Sequence, residues 1–210
     1  MSSVKGFFFD IGGVIVHADM DRWMLVGAGL LQSSPTAVRR EVLALVPELE
    51  RGKIDTQKFW KQVGENLWRA GQGRPPEGDE CRWLWRDTMR ATAKLDEDML
   101  TFCWNLSKRG YTVAALSNTI IDHVKVLHDL GAYQPFRPCV LSCQVGLRKP
   151  EKEIYKLAAQ LAKLKPKQCL LVDDREDNCE GARSAGWQAV LFSSPTQLLV
   201  DLRKMGLLKG

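Results

Sequence analysis

The amino-acid sequence predicts an α/β fold: a doubly wound, parallel, Rossmann-like sheet with a small all-helical cap inserted after the first strand. Three observations lead there. Short apolar runs alternate with amphipathic stretches of helical period over most of the 210 residues, the pattern left by strands joined through crossover helices. The apolar runs are hydrophobic almost throughout instead of at every second residue, as in strands covered on both faces. One stretch, about residues 19–93, breaks the alternation with helical patterns alone.

Residues 4–10 form the first expected strand, which closes on Phe7-Phe8-Phe9-Asp10. The insertion follows, with helices expected over 22–31, 35–46, 57–70 and 80–91. Ser34-Pro35 reads as an N-cap with proline at the first helical position, and Asp55-Thr56 as a second start signal. Pro47 reads as a stop just beyond the second helix. Trp60 and Trp68 are spaced to share one helical face and pack in a core. Further strands are expected at 111–117, 140–143, 169–173 and 188–192, and helices at 96–109, 120–130, 152–164, 177–185 and 196–205. Gly110, Gly131 and Gly186 stand where three of these helices would close. The expected division is a core domain of residues 1–18 and 94–210 with a cap domain of 19–93. A cap there lies above the end of the first strand, where a lid can exclude water and select substrate.

Doubly wound sheets bind ligands beyond the carboxyl ends of their strands. Asp10 ends one buried strand, and Asp173-Asp174 ends another after Leu170-Leu171-Val172. Carboxylates gathered at one sheet edge repel each other unless a cation sits among them, and their hard oxygens suit Mg²⁺. Asp10 can also act as a nucleophile that forms a covalent intermediate. Ser117-Asn118-Thr119 follows a strand and precedes a helix, so its polar groups can hold an anion. Lys149, in Gly146-Leu147-Arg148-Lys149-Pro150, offers a point charge to the same anion and to Asp10. Arg22, near the strand–cap junction, is a candidate substrate contact.

At this point the chain resembles the haloacid dehalogenase (HAD) superfamily. Phe9-Asp10-Ile11-Gly12-Gly13-Val14 is similar to its motif I, Leu116-Ser117-Asn118 to motif II, Arg148-Lys149-Pro150 to motif III, and Val172-Asp173-Asp174 with Asn178 to motif IV. The resemblance spans the whole chain, with residues 19–93 in the place of a helical C1 cap. It implies a Mg²⁺-dependent phosphatase that hydrolyses a small phosphorylated metabolite, such as a sugar phosphate, through an aspartyl-phosphate on Asp10. Mg²⁺ would be held by Asp10, the backbone carbonyl of Gly12, and Asp174. Ser117, Asn118 and Lys149 would bind the phosphoryl group beside Gly12, while Asp173 and Asn178 would fix the ligands from behind. One position departs from the usual pattern. Phosphatases of the superfamily carry a second aspartate two residues after the nucleophile, as general acid–base, and here that position is Gly12. A glycine there is shared by some sugar-phosphatase-like members. Substrates with better leaving groups would suffer least, and His17 or Asp19 are the nearby groups that could substitute. Two alternatives stay open: a 2-haloacid dehalogenase-like hydrolase, in which halide leaves unprotonated, and a catalytically impaired binding protein.

Composition narrows the setting. A formal charge of +5, with 45% hydrophobic and 26% charged residues, is ordinary for a globular protein. Basic residues are scattered on helical faces, which argues against a nucleic-acid partner. Six cysteines occur without a CxxC pair, so reduced thiols in a cytoplasmic protein are expected. No apolar run approaches membrane-spanning length, so no membrane partner is expected. The sequence leaves oligomeric state open.

Overall fold

The computed structural model describes residues 4–77 and 80–208. Its main sheet has five parallel strands in the order β5-β4-β1-β6-β7: β1 Gly6–Phe9, β4 Thr112–Ser117, β5 Cys139–Leu141, β6 Cys169–Asp173 and β7 Gln188–Leu191. From β1 the chain moves outward through β4 to β5, then crosses back to β6 on the other flank of β1. The winding therefore reverses beside the central strand, and a crevice opens at its carboxyl end. Every residue of β1 is buried, which explains the unbroken apolar run: Phe7 and Phe9 face one layer of helices, and Phe8 faces the other, against Trp187.

The layers are α5 (Glu97–Lys108), α6 (Ile121–Asp129), α8 (Lys152–Leu161), α9 (Glu176–Ser184) and α10 (Pro195–Lys204). Gly110, Gly131 and Gly186 follow three of these helices at positive φ, as expected of C-terminal caps. The predicted strand at 140–143 ends early. Its last two residues instead open a single helical turn, α7 (Ser142–Val145). Ser142 needs that turn, because its hydroxyl accepts from Thr119 N at 2.9 Å and donates to Thr119 O at 3.1 Å.

Among the described residues, four helices lie between β1 and α5: α1 (Met20–Leu30), α2 (Pro35–Glu50), α3 (Thr56–Arg69) and α4 (Leu84–Thr92). Ser34 and Asp55 are the expected caps, accepting from Ala37 N at 3.2 Å and Lys58 N at 2.7 Å. Two-residue strands, β2 (Val16–His17) and β3 (Lys94–Leu95), pair antiparallel and clasp the two ends of this helical stretch. Pro47 does not stop α2. The helix runs on to Glu50 because Leu49 is buried and Arg51 bonds back to the Pro47 carbonyl, which holds the last turn despite the missing N–H. Trp60 and Trp68 also diverge. Eight residues at 100° each leave them about 80° apart, so Trp60 is buried while Trp68 is 63% exposed. All six cysteines are free thiols. No helix among the described residues is long and apolar enough to cross a membrane.

Candidate active site

Asp10 is the first residue beyond β1, and its N–H still bonds to Val172 O at 2.9 Å. That last rung of the ladder sets it beside Asp173, the final residue of β6. Asp10 Oδ1 accepts from Ile11 N at 2.7 Å and lies 3.1 Å from Lys149 Nζ. Its Oδ2 has no hydrogen-bond partner among the described residues, so one oxygen is bound and one is free. Lys149 is fully buried, and its ammonium also donates to Asp173 Oδ2 at 2.5 Å. The other oxygen of Asp173 accepts from Arg175 N at 3.0 Å and from Asn178 Nδ2 at 2.9 Å. With both oxygens engaged, Asp173 aims the lysine. Asn118 holds the same lysine by its backbone, donating to Lys149 O at 2.9 Å and accepting from Lys149 N at 2.8 Å. Ser117 ends β4, buried at the same sheet edge.

Asp174 is exposed and faces the cleft. It comes so close to the turn after β1 that a Cβ on Gly13 would sit 2.2 Å from its Oδ2. Gly13 also has φ +76°, where any other residue is strained. The turn is therefore built for glycine twice over. Carboxylate oxygens of Asp10, Asp173 and Asp174 all lie within 4.8 Å of one another, with one ammonium among three acids. Hard oxygens, an excess of negative charge and a side-chain-free approach at Gly13 together fit a small divalent cation such as Mg²⁺.

Burial pushes the Asp10 carboxyl up to about 7; the Lys149 ammonium opposes that rise and Asp173 adds to it. Asp174, exposed at the cleft but partly desolvated where it meets the turn after β1, is raised too, by that desolvation and then by Asp173. Burial alone would lower Lys149, but Asp10 and Asp173 outweigh it and hold the ammonium above the usual lysine value. An acid raised in the folded state binds protons that the unfolded chain has already released. Its stabilising contribution is complete below about 3.8 and is lost as pH climbs through about 7. Metal-free protein should accordingly melt at a higher temperature at pH 5.5 than at pH 8. Calorimetry in EDTA reads this, and a higher melting temperature at pH 8 would contradict the charge balance described.

Above the acids lies a cleft of about 650 Å³. Its floor holds Asp10, Gly12, Ser117, Asn118 and Asp174, with Arg148 and Arg175 at the side. The opposite wall comes from the helical stretch and is apolar, with Trp23, Met24, Val42 and Trp85 among its residues. Arg148 pairs across the cleft with Glu50 of α2, Nε at 2.9 Å and Nη2 at 2.8 Å. Arg51 pairs with Glu151 and Thr56 with Asp122, further links between the helical stretch and the sheet layers. Glu50 and His123 escaped the sequence reading, and Arg148 entered it only as a neighbour of Lys149 in motif III, since nothing in their local pattern marks a cleft residue. Arg22 is exposed and does not line the cleft; the same turn of α1 instead directs Trp23 and Met24 inward. His17 lines the cleft with Nε2 3.8 Å from Asp96. The Asp19 side chain is taken by the N-cap of α1, where it accepts from Arg22 N at 3.1 Å.

A family model for haloacid dehalogenase-like hydrolases matches residues 4–186. D-ribitol-5-phosphate phosphatase of Bacteroides thetaiotaomicron is 27% identical over 194 residues, which covers 88% of this chain and 90% of that protein. Bifunctional epoxide hydrolase 2 of Rattus norvegicus is 26% identical over 93% of this chain. The chain spans only about a third, 36%, of that longer protein. A HAD family enzyme of B. thetaiotaomicron, solved in complex with magnesium and inorganic phosphate, shares the fold with a TM-score of 0.72 at 21% identity, covering 93% of this chain and 98% of that one. A dehalogenase solved as an intermediate complex aligns with a TM-score of 0.62 at 19% identity, over 93% and 87% of the two chains. With motif residues converging at one sheet edge and a family match running nearly end to end, the chain belongs to the haloacid dehalogenase-like hydrolases.

Proposed function

We propose that the chain is a Mg²⁺-dependent phosphomonoesterase for a small phosphorylated metabolite, working through an aspartyl-phosphate on Asp10. The observation that carries this reading is the half-engaged carboxylate of Asp10. One oxygen is tied by Ile11 N–H and Lys149 while the other is open, at the floor of a cleft beside two more acids. The phosphatase relative, matched along nearly all of its length, supports phosphoryl over halide chemistry.

Asp10 Oδ2 attacks phosphorus and the alkoxide departs; water then cleaves the acyl phosphate to return the carboxylate and release inorganic phosphate. Lys149 neutralises charge on the transferring group and, through Asp173 and Asn118, keeps one orientation. Asp10, Asp174 and the Gly12 carbonyl would hold Mg²⁺, which when bound offsets further phosphoryl charge. Ser117 and the backbone at Asn118 complete the anion site. Helices α1–α4, about residues 19–93, act as the cap, with the β2–β3 clasp as its base. The test is release of phosphate from a panel of phosphomonoesters with Mg²⁺ and with EDTA; turnover unaffected by EDTA would overturn the metal's part.

Two variants probe the floor. Gly13→Ala should push Asp174 aside and lower Mg²⁺ affinity about 10–100-fold by titration calorimetry, the size seen when groups that orient metal ligands are lost. At Gly12 a Cβ would meet nothing within 4 Å, so an acidic side chain has room. Gly12→Asp should raise kcat on alkyl phosphates about 10²-fold and change p-nitrophenyl phosphate little, because nitrophenolate leaves without a proton. An equal effect on both would count against a missing general acid.

A further inference from the structure

We infer that the substrate is a phosphomonoester whose alcohol carries an extended apolar body, such as an alkyl, prenyl or aryl chain, and not a polyol. This rests on the phosphatase reading and concerns only what the cap accepts. The cleft is two-sided. Its charged and polar groups gather on the floor and the flank beside it, with Arg148, Arg175 and His17 among them, where a phosphoryl group would sit. The wall above is made by Met24, Val42, Leu43, Val46 and Met89 together with the ring cluster of Trp23, Trp85 and His123.

The rings are locked against each other. Trp23 lies over His123 at 5.0 Å and 24°, and Trp85 meets Trp23 edge-on at 5.2 Å and His123 at 5.6 Å. Burial pushes the His123 imidazole down to about 3, so the ring is neutral at any working pH and adds no charge to the wall. A polyol phosphate brings several hydroxyls, each of which needs a partner once water is excluded. The cap offers few. Glu50, its carboxylate at the cleft, is committed to Arg148, and the aliphatic residues of α2 have nothing to give. The indole N–H groups of Trp23 and Trp85, and the Nε2 of His123 on α6 beside them, are buried without partners among the described residues, so they do not present a row of partners to a chain of hydroxyls. Leu43 is 58% exposed at the rim, so the apolar track reaches solvent. An apolar chain longer than the cleft can run along it.

The experiment compares kcat/KM for ethyl, butyl, hexyl and octyl phosphate with ribitol 5-phosphate and p-nitrophenyl phosphate, all with Mg²⁺. The expected result is a rise of about fourfold per buried methylene, the ~0.8 kcal/mol of one CH₂ converted at 1.4 kcal/mol per tenfold, carried mostly by KM. Leu43→Asp, a change at an exposed helical position, should flatten that slope. Turnover of p-nitrophenyl or ribitol phosphate with no dependence on chain length would overturn this inference and leave the phosphatase reading standing. Should no phosphoester be cleaved, the phosphatase reading fails instead. The pocket is then read by calorimetric binding of ethyl against octyl phosphonate, where equal affinities would overturn the inference and a tighter octyl compound would uphold the apolar track.

Discussion

Asp10→Asn should abolish phosphate release, by at least about 10³-fold in kcat, while making the metal-free protein more stable at pH 8. The substitution is nearly isosteric. Its carbonyl oxygen can still accept from Ile11 N–H and face Lys149, so the turn and the lysine stay in place. The lost atom is the open carboxylate oxygen, replaced by an amide nitrogen that is not a nucleophile. The stability gain follows from the same burial. In the wild type the carboxyl ionises at about 7 instead of 3.8, a gap equivalent to at most about 4 kcal/mol of strain on the charged form at pH 8. Asparagine carries no such charge. At pH 5, where Asp10 keeps its proton, the gain should disappear. Added Mg²⁺ should reverse the order, because the wild type offers the cation a negative charge that the neutral amide lacks. Paired assays of phosphate release and thermal unfolding at the two pH values read all of this. A variant both inactive and less stable at pH 8 would point to damaged folding, and an active one would remove Asp10 from the chemistry.

The sheet was legible because buried parallel strands leave unbroken apolar runs, as Phe7-Phe8-Phe9 and Leu170-Leu171-Val172 do. The acids at their ends were legible because a charged residue closing such a run has few structural reasons to be there. Where two elements meet by shape alone, local pattern was silent. The β2–β3 clasp is two residues per strand, too short for any periodicity to register. Glu50 and Arg148 lie 98 positions apart, and no local pattern links a residue beyond the expected end of a cap helix to one inside motif III, yet the fold brings them within 2.9 Å. Asn118 shows a subtler gap. Its motif suggested contact with an anion and did not announce the further task of its side-chain amide, which holds the Lys149 backbone. Pro47 failed as a stop signal because the helix end is held by burial of Leu49 and by Arg51, which bonds to the Pro47 carbonyl and pairs with Glu151, against a local preference worth only a few kcal/mol.

Lys149→Met should destabilise the metal-free protein at pH 8 by about 3–5 kcal/mol, the cost of leaving buried charges without their partner. Methionine fills a similar volume, so packing alone predicts little change. The electrostatics predict much more. Asp173 would keep its bonds from Arg175 N and Asn178 but lose the 2.5 Å contact on Oδ2, and Asp10 would keep only Ile11 N–H. Two carboxylates would then face each other at the largely buried floor of the cleft. Lowering the pH to 5 should recover part of the loss, since one of the pair can take a proton. Millimolar Mg²⁺ should recover part of it at pH 8, because a cation among the acids replaces some of the missing charge. Activity should not recover with it: without an ammonium on the transferring group, kcat should stay down by about 10²–10³-fold even at saturating Mg²⁺. Unfolding curves across pH and Mg²⁺, set beside kcat, separate these roles. If Lys149→Met were as stable as the wild type at pH 8 in EDTA, the lysine could not be what holds the acids together.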